Sequence, residues 1–242
     1  NHIGHIVTNK NRTILLFLTR GLLAGSPVSG PSAKYFRRLS WMSATFAFLA
    51  DIALGSYGGA LKLKEKLAGR YADILSWMYL AAATLKRYES EGRRPEDRVY
   101  FEWAMQHAFY RMQLALEGIL AEIKVPGISW SFRLLGKLFR LNPVGKMPSD
   151  KLGHKLAQAM QIKGEARDHV THGIFISEDN EDALGRYEYT LDLVTEAAPL
   201  YKKLYKAVKS RDLPKNSPDL LIDLAHEKGI LTSDEAEFLR KT

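Results

Sequence analysis

The sequence predicts an all-α protein: a multi-helix bundle of long helices with a smaller helical part at its C-terminal end. Three observations carry this. Apolar residues recur at three- and four-residue spacing over long stretches, and no run alternates convincingly with period two. Breaks rich in Gly and Pro, such as GSPVSGPS, EGRRPED and LPKNSPD, separate those stretches. Helix-end chemistry stands where the periodic stretches stop. The length, 242 residues with 46% hydrophobic content, is enough for one large domain with a real core. The expected organisation is a long-helix bundle over residues 1–124, a basic amphipathic segment over 125–148 and a C-terminal helical part over 149–242, packed together as one domain or as a domain with an appendage.

Residues 1–24 read as the first helix, with Ile3, Ile6, Val7, Ile14, Leu15, Phe17 and Leu18 as its apolar surface. After GSPVSGPS, Ser32 is placed to cap a helix from about Ala33 to Tyr57. Leu39, Met42, Phe46, Leu49 and Ala53 form its stripe. Gly58–Gly59 turns the chain into a second long helix that ends near Ser90. Its stripe is Leu67, Tyr71, Ile74, Met78, Ala81, Leu85 and Tyr88; Lys62, Lys66, Gly69, Asp73 and Ser76 lie opposite. About thirty residues make a rod of roughly 45 Å. Pro95 suits the first turn of the next helix, over 97–123. Phe101, Met105, Ala108, Met112, Ala115 and Ile119 form its main stripe, and Trp103, Tyr110 and Leu114 a second.

The character changes at Val125, Pro126 and Gly127. No acidic residue occurs from there to Ser149, and Pro143 and Pro148 confine a helix to about 128–141. Ser149 caps a helix over DKLGHKLAQAMQ. Residues 163–181 read as a polar loop with a short turn. Helices are expected over 181–195 and 197–210, with Pro199 in the first turn of the latter. The chain ends in a small helical pair. Gly229 stands at the C-terminal cap of its first helix, and Thr232 and Glu235 have capping-box spacing for its last.

Composition excludes some chemistry. Cysteine is absent, which removes disulfides, thiolate metal sites and cysteine nucleophiles while leaving the compartment open. The formal net charge of +8 suits an anionic partner: nucleic acid, anionic lipid or an acidic cofactor. No basic cluster sits on a nucleic-acid-binding motif, so nucleic acid is not an expected partner. The apolar residues 14–18 are bracketed by Arg12 and Arg20, far short of the ~20 residues a span requires, and no other stretch is expected to cross a bilayer. A start at Asn1 without a targeting feature is what a piece of a longer polypeptide would show.

Candidate chemistry is sparse. His169 and His172 have Asp168 and Glu165 nearby, but a di-metal bundle site needs Glu-x-x-His twice on facing helices, and Glu102 and His107 are five apart and point differently. GSPVSG and YGGALK follow no predicted strand and read as turns. Lys62, Lys64 and Lys66 can meet a phosphate or form a plain solvated face. No catalytic, cofactor-binding or metal residue is assigned. The segment GISWSFRLLGKLFRLNPVGK is more informative. Arg133, Lys137 and Arg140 stack on one side of a helix; Trp130, Leu134, Leu135, Leu138 and Leu141 occupy the other. With Phe132, these residues make the cationic, acid-free pattern of a membrane-surface anchor. A short helix packed on the bundle, its arginines solvated or paired, has the same sequence.

The run SATFAFLADIALGSYGGALKLKEKLAGRYADILSWMYLAAATLKRYESEGR resembles the C-terminal domain of the large bacterial acyl-CoA dehydrogenases of fatty-acid degradation, the FadE type. NHIGHIVTN, SPVSGP, PSDKLGHKLAQAM and LIDLAHEKGILTSDEAEFL resemble further pieces of that domain in order, so the resemblance covers nearly the whole chain. It implies an FAD-dependent parent that oxidises acyl-CoA to trans-2-enoyl-CoA, the first step of fatty-acid β-oxidation. There a Glu base takes the α-proton and the β-hydrogen leaves as hydride to the flavin. Base and flavin motifs correspond to no residue here, so no cofactor is expected in this segment. The implied partners are the catalytic core of the same polypeptide, a second copy in a homo-oligomer, an anionic membrane surface at residues 130–141, and acyl-CoA as the parent's substrate. The implied location is cytoplasmic, peripheral on the inner membrane. The alternative is a stand-alone helical module that binds membrane or protein without enzyme activity; the reading frame upstream of Asn1 separates the two.

Overall fold

The computed structural model describes residues 2–125, 127 and 129–241. The expectations for Asn1, Pro126 and Ile128, and for the side chain of Ile3, lie outside the described residues. Among these residues ten α-helices follow in order: α1 (His2–Leu18), α2 (Ala33–Tyr57), α3 (Glu65–Ser90), α4 (Arg98–Glu122), α5 (Ser129–Leu141), α6 (Asp150–Gln161), α7 (Glu165–Thr171), α8 (Ala183–Lys209), α9 (Pro218–Glu227) and α10 (Ser233–Lys241). A 3₁₀ turn, Gly58–Leu63, joins α2 to α3. No strand occurs among the described residues, and the fold is all-α. The chain divides into two compact units, Asn1–Ala157 and Gln158–Thr242.

In the first unit α4 is the central element. It packs against α3 on one side and α5 on another, while α2 packs against α1 and α3. The expected stripes become the core: Met42, Leu49 and Ala53 from α2, Leu67, Ile74, Ala81 and Leu85 from α3, and Phe101 through Ile119 from α4. Lys66, Gly69, Asp73 and Ser76 are exposed on the opposite face of α3. Tyr71 ties the hairpin together by donating its hydroxyl to the Leu49 carbonyl at 2.8 Å, and burial, followed by the Tyr57 charge, raises the pKa of that phenol.

Several element boundaries differ from expectation, each for a local reason. The first helix stops at Leu18, short of residue 24, because Arg20 and Gly21 both take positive φ (52° and 78°) and the Gly21 amide closes back on the Leu16 carbonyl at 2.7 Å. Ser32 precedes α2 but is buried and makes no capping hydrogen bond. The joint of the hairpin occupies residues 58–64, leaving α3 26 residues, fewer than the thirty expected. Pro95 lies in a turn ahead of α4 and accepts from the Arg98 amide at 3.3 Å. The second buried row of α4 is Phe109, Gln113, Leu116 and Leu120. Trp103 and Tyr110 are only half-buried and Leu114 is 47% exposed, because α5 docks one residue further round the helix than the expected stripe.

The stretch Ala33–Leu63 contains an 18-residue window of mean hydropathy 1.3, long and apolar enough to cross a membrane by length and composition. No stretch was expected to be that long and apolar. The same helix supplies Trp41, Met42, Leu49 and Ala53 to the bundle core, so its apolar character also has an internal use.

In the second unit residues 163–181, expected as a loop with a short turn, contain α7. The two helices expected over 181–210 are one, with Pro199 inside α8. Ala197, Leu204 and Ala207 pack with Ile222, Ala225, Leu231, Ala236 and Leu239 from the last two helices and their joint. The terminal pair follows its expected chemistry. Gly229 has φ 68°, and Thr232 and Glu235 exchange capping-box hydrogen bonds at 3.0 and 3.2 Å. Ser149 likewise caps α6, accepting from the Leu152 amide at 3.3 Å.

Candidate functional site

The basic segment folds as α5, and three distinct stripes run along it. Phe132 and Phe139 are buried in the core of the first unit. Leu135 packs at the edge of that core, and a Cβ on Gly136 would lie 3.5 Å from Leu120 Cβ. Trp130, Leu134, Leu138 and Leu141 fall by helical spacing in a second stripe, which is exposed; Trp130 is 65% and Leu141 79% accessible. Arg133, Lys137 and Arg140 form a third stripe beside it, also exposed. Of the eight residues singled out from sequence, seven therefore face outward and Phe132 faces the bundle.

Polar contacts fix this orientation. Gln113 of α4 donates to the Phe139 carbonyl at 3.2 Å and accepts from the Val144 amide at 2.9 Å. Its amide also donates to Glu117 at 2.9 Å, and Glu117 pairs with Arg140 at 2.9 Å. Asn142 donates to the Phe17 carbonyl at 2.6 Å, satisfying a backbone acceptor near the end of α1. Gly145 lies against the backbone of Phe109, so closely that no side chain fits. Sequence reasoning missed Gln113, Asn142 and Gly145. A Gln on the core side of an apolar helix was the one available signal, since a buried amide demands partners.

The other candidates are placed as follows. Glu102 pairs with Arg98 at 2.8 Å, whereas His107 stacks on Trp103 and meets Trp77 edge-on, so the two point apart. Burial and then the Arg111 charge hold His107 below its ordinary value. His169 lies on α7 and His172 just beyond its end. Lys62, Lys64 and Lys66 are exposed, and the Lys64 ammonium sits 4.8 Å from the Tyr57 ring centroid. The Gly-rich turns connect helix to helix.

No solved structure matches the chain. The family described as acyl-CoA dehydrogenase, C-terminal, bacterial type matches residues 1–242. Such a domain implies a parent protein with a catalytic core, FAD and acyl-CoA. By a match over its whole length, this chain belongs to the bacterial-type acyl-CoA dehydrogenase C-terminal domain family.

Proposed function

We propose that this domain braces the catalytic core or dimer of an FAD-dependent acyl-CoA dehydrogenase and places it at the cytoplasmic face of an anionic membrane, where long-chain substrates partition. The carrying observation is the double outer face of α5. Its inner side is occupied by Phe132 and Phe139, yet an apolar stripe and a cationic stripe both face outward. A helix that only covered the bundle would need one apolar stripe. Trp130, Leu134, Leu138 and Leu141 can enter the headgroup region, while Arg133 and Lys137 meet lipid phosphates. Arg140 contributes less, since Glu117 already pairs with it. The bracing role draws on exposed Ile14, Leu18 and Leu22 in and just after α1, which offer apolar surface to a core or a second copy. The parent would perform the first oxidation of fatty-acid β-oxidation, with its base and flavin outside this chain.

The test compares the parent enzyme with one lacking residues 1–242 and one carrying Arg133→Glu with Lys137→Glu. Co-sedimentation with phosphatidylglycerol vesicles should fall for the charge reversal and weaken with salt. Oligomeric state, stability and long-chain turnover should fall for the truncation. Equal vesicle binding by wild type and the charge-reversed enzyme rejects the anchor, and an unimpaired truncated enzyme rejects the brace.

A further inference from the structure

A second feature of the first unit is independent of the membrane reading. A cavity of about 440 Å³ opens where the end of α1, the start of α2, the middle of α4 and the loop after α5 converge. Four cations line it: Arg20, Lys34, Arg38 and Lys146. Among the described residues no carboxylate lines it. The acid felt by the neighbouring Tyr35, Glu102, is already paired with Arg98 at 2.8 Å. Another basic hollow of this unit, around Lys64, Lys66, Arg70 and Lys124, includes Glu65 and Glu122, which offset half of its charge.

Like charges gathered in one concave site repel, and low-dielectric walls strengthen the effect. Here the walls include the buried aromatic residues Trp41 and Phe109. The indole N–H of Trp41, which is 1% exposed, has no acceptor among the described residues. A buried donor without a partner costs free energy that an added acceptor would recover. Asn142 and Gln106 line the same cavity and supply amide groups. Arg20 also holds a left-handed backbone conformation (φ 52°) that favours glycine, so a long cationic side chain is kept there at a backbone cost.

We propose that this cavity binds a phosphoryl-bearing polyanion, with Arg20, Lys34, Arg38 and Lys146 neutralising its charge. The ligand class is a compound carrying two or more phosphoryl charges, since a single phosphate would leave most of the cation cluster uncompensated. Two sources share this chemistry: a soluble pyrophosphate ester and the headgroup of a phospholipid that carries two phosphates. The volume falls within the range of small-molecule sites.

The test is titration of the full chain with inorganic pyrophosphate, followed by calorimetry and thermal melting. Pyrophosphate should bind and raise Tm. Arg38→Gln with Lys146→Gln should weaken binding by on the order of ten-fold or more, as loss of two charge-assisted contacts requires. Lys202→Gln with Lys206→Gln removes the same charge from the second unit and should leave binding unchanged. Arg20→Gly guards against misfolding: glycine suits the positive φ, so this variant should melt no lower than wild type while binding more weakly. Absence of pyrophosphate binding overturns the proposal, as does equal weakening by the control pair. Vesicles of cardiolipin, a phospholipid that carries two phosphates, distinguish the source. If pyrophosphate displaces the chain from vesicles, the site takes a headgroup; if vesicle binding is indifferent to pyrophosphate, it takes a soluble ester. Loss of vesicle binding in the Arg133 and Lys137 variant with pyrophosphate binding intact separates this site from the α5 face.

Discussion

A Cβ added to Gly145 would fall 2.4 Å from the Phe109 carbonyl carbon and 2.6 Å from its oxygen, whereas one added to Gly118 would meet Arg70 Nε at 2.5 Å. The distances are alike but the obstacles are not. Backbone in the middle of α4 cannot yield, while the end of an arginine can swing away. Gly145→Ala should destabilise the protein by about 1–3 kcal/mol in urea denaturation. Gly118→Ala should be neutral or stabilise by up to about 1 kcal/mol, since alanine favours the helix. In the sequence both glycines look ordinary, because a close approach between distant segments leaves no local mark. His107 carries the second residue-scale prediction. Its pKa is lowered by burial and by Arg111, so the folded chain takes up the proton less readily than the unfolded chain, whose reference value is 6.5. Its contribution to stability is complete above pH 6.5 and is lost as the pH falls through the lower folded value. His107→Gln should flatten this part of the pH–stability profile, measured by melting between about pH 5 and 8.

At the scale of elements, Pro199 separates local rules from packing. Proline lacks the amide that would bond the Thr195 carbonyl, and its ring crowds the preceding turn, so a helix boundary was the reasonable expectation. The helix continues because Ala197 lies before the proline, Leu204 and Ala207 lie after it, and all three belong to one core with α9 and α10. Burial on both sides outweighs a backbone penalty of about 3 kcal/mol. Pro199→Ala should therefore raise stability, by up to about 3 kcal/mol in chemical denaturation. The capping box of α10 shows the opposite case. Thr232 and Glu235 are three residues apart, their reciprocal bonds need no distant partner, and the sequence was enough to place them. For α5 the helix and its cationic stripe were legible in the same way. That Phe132 turns inward was not, because Phe132 and Trp130 are equally apolar and only the location of α4 distinguishes them.

At the scale of the molecule, the buried apolar residues form two clusters. One draws on residues between Leu16 and Val144, the other on residues between Ala197 and Leu239. The first holds the large aromatic residues Trp41, Phe109 and Phe139. Residues 1–157 expressed alone should keep helical circular dichroism and a cooperative melt; a non-cooperative melt would show that the first core depends on the rest of the chain. The sequence by itself determined the helical class, most of the long-helix stripes, the terminal caps and the family, because periodicity, end chemistry and an ordered series of motifs are local properties of the chain. Only the tertiary structure decided which flank of α4 is covered, that α8 runs through its proline, that α5 keeps an apolar stripe outside, and that four cations distant in sequence line one cavity. Each of those depends on which surface a helix meets, and that is settled by packing between segments rather than within them.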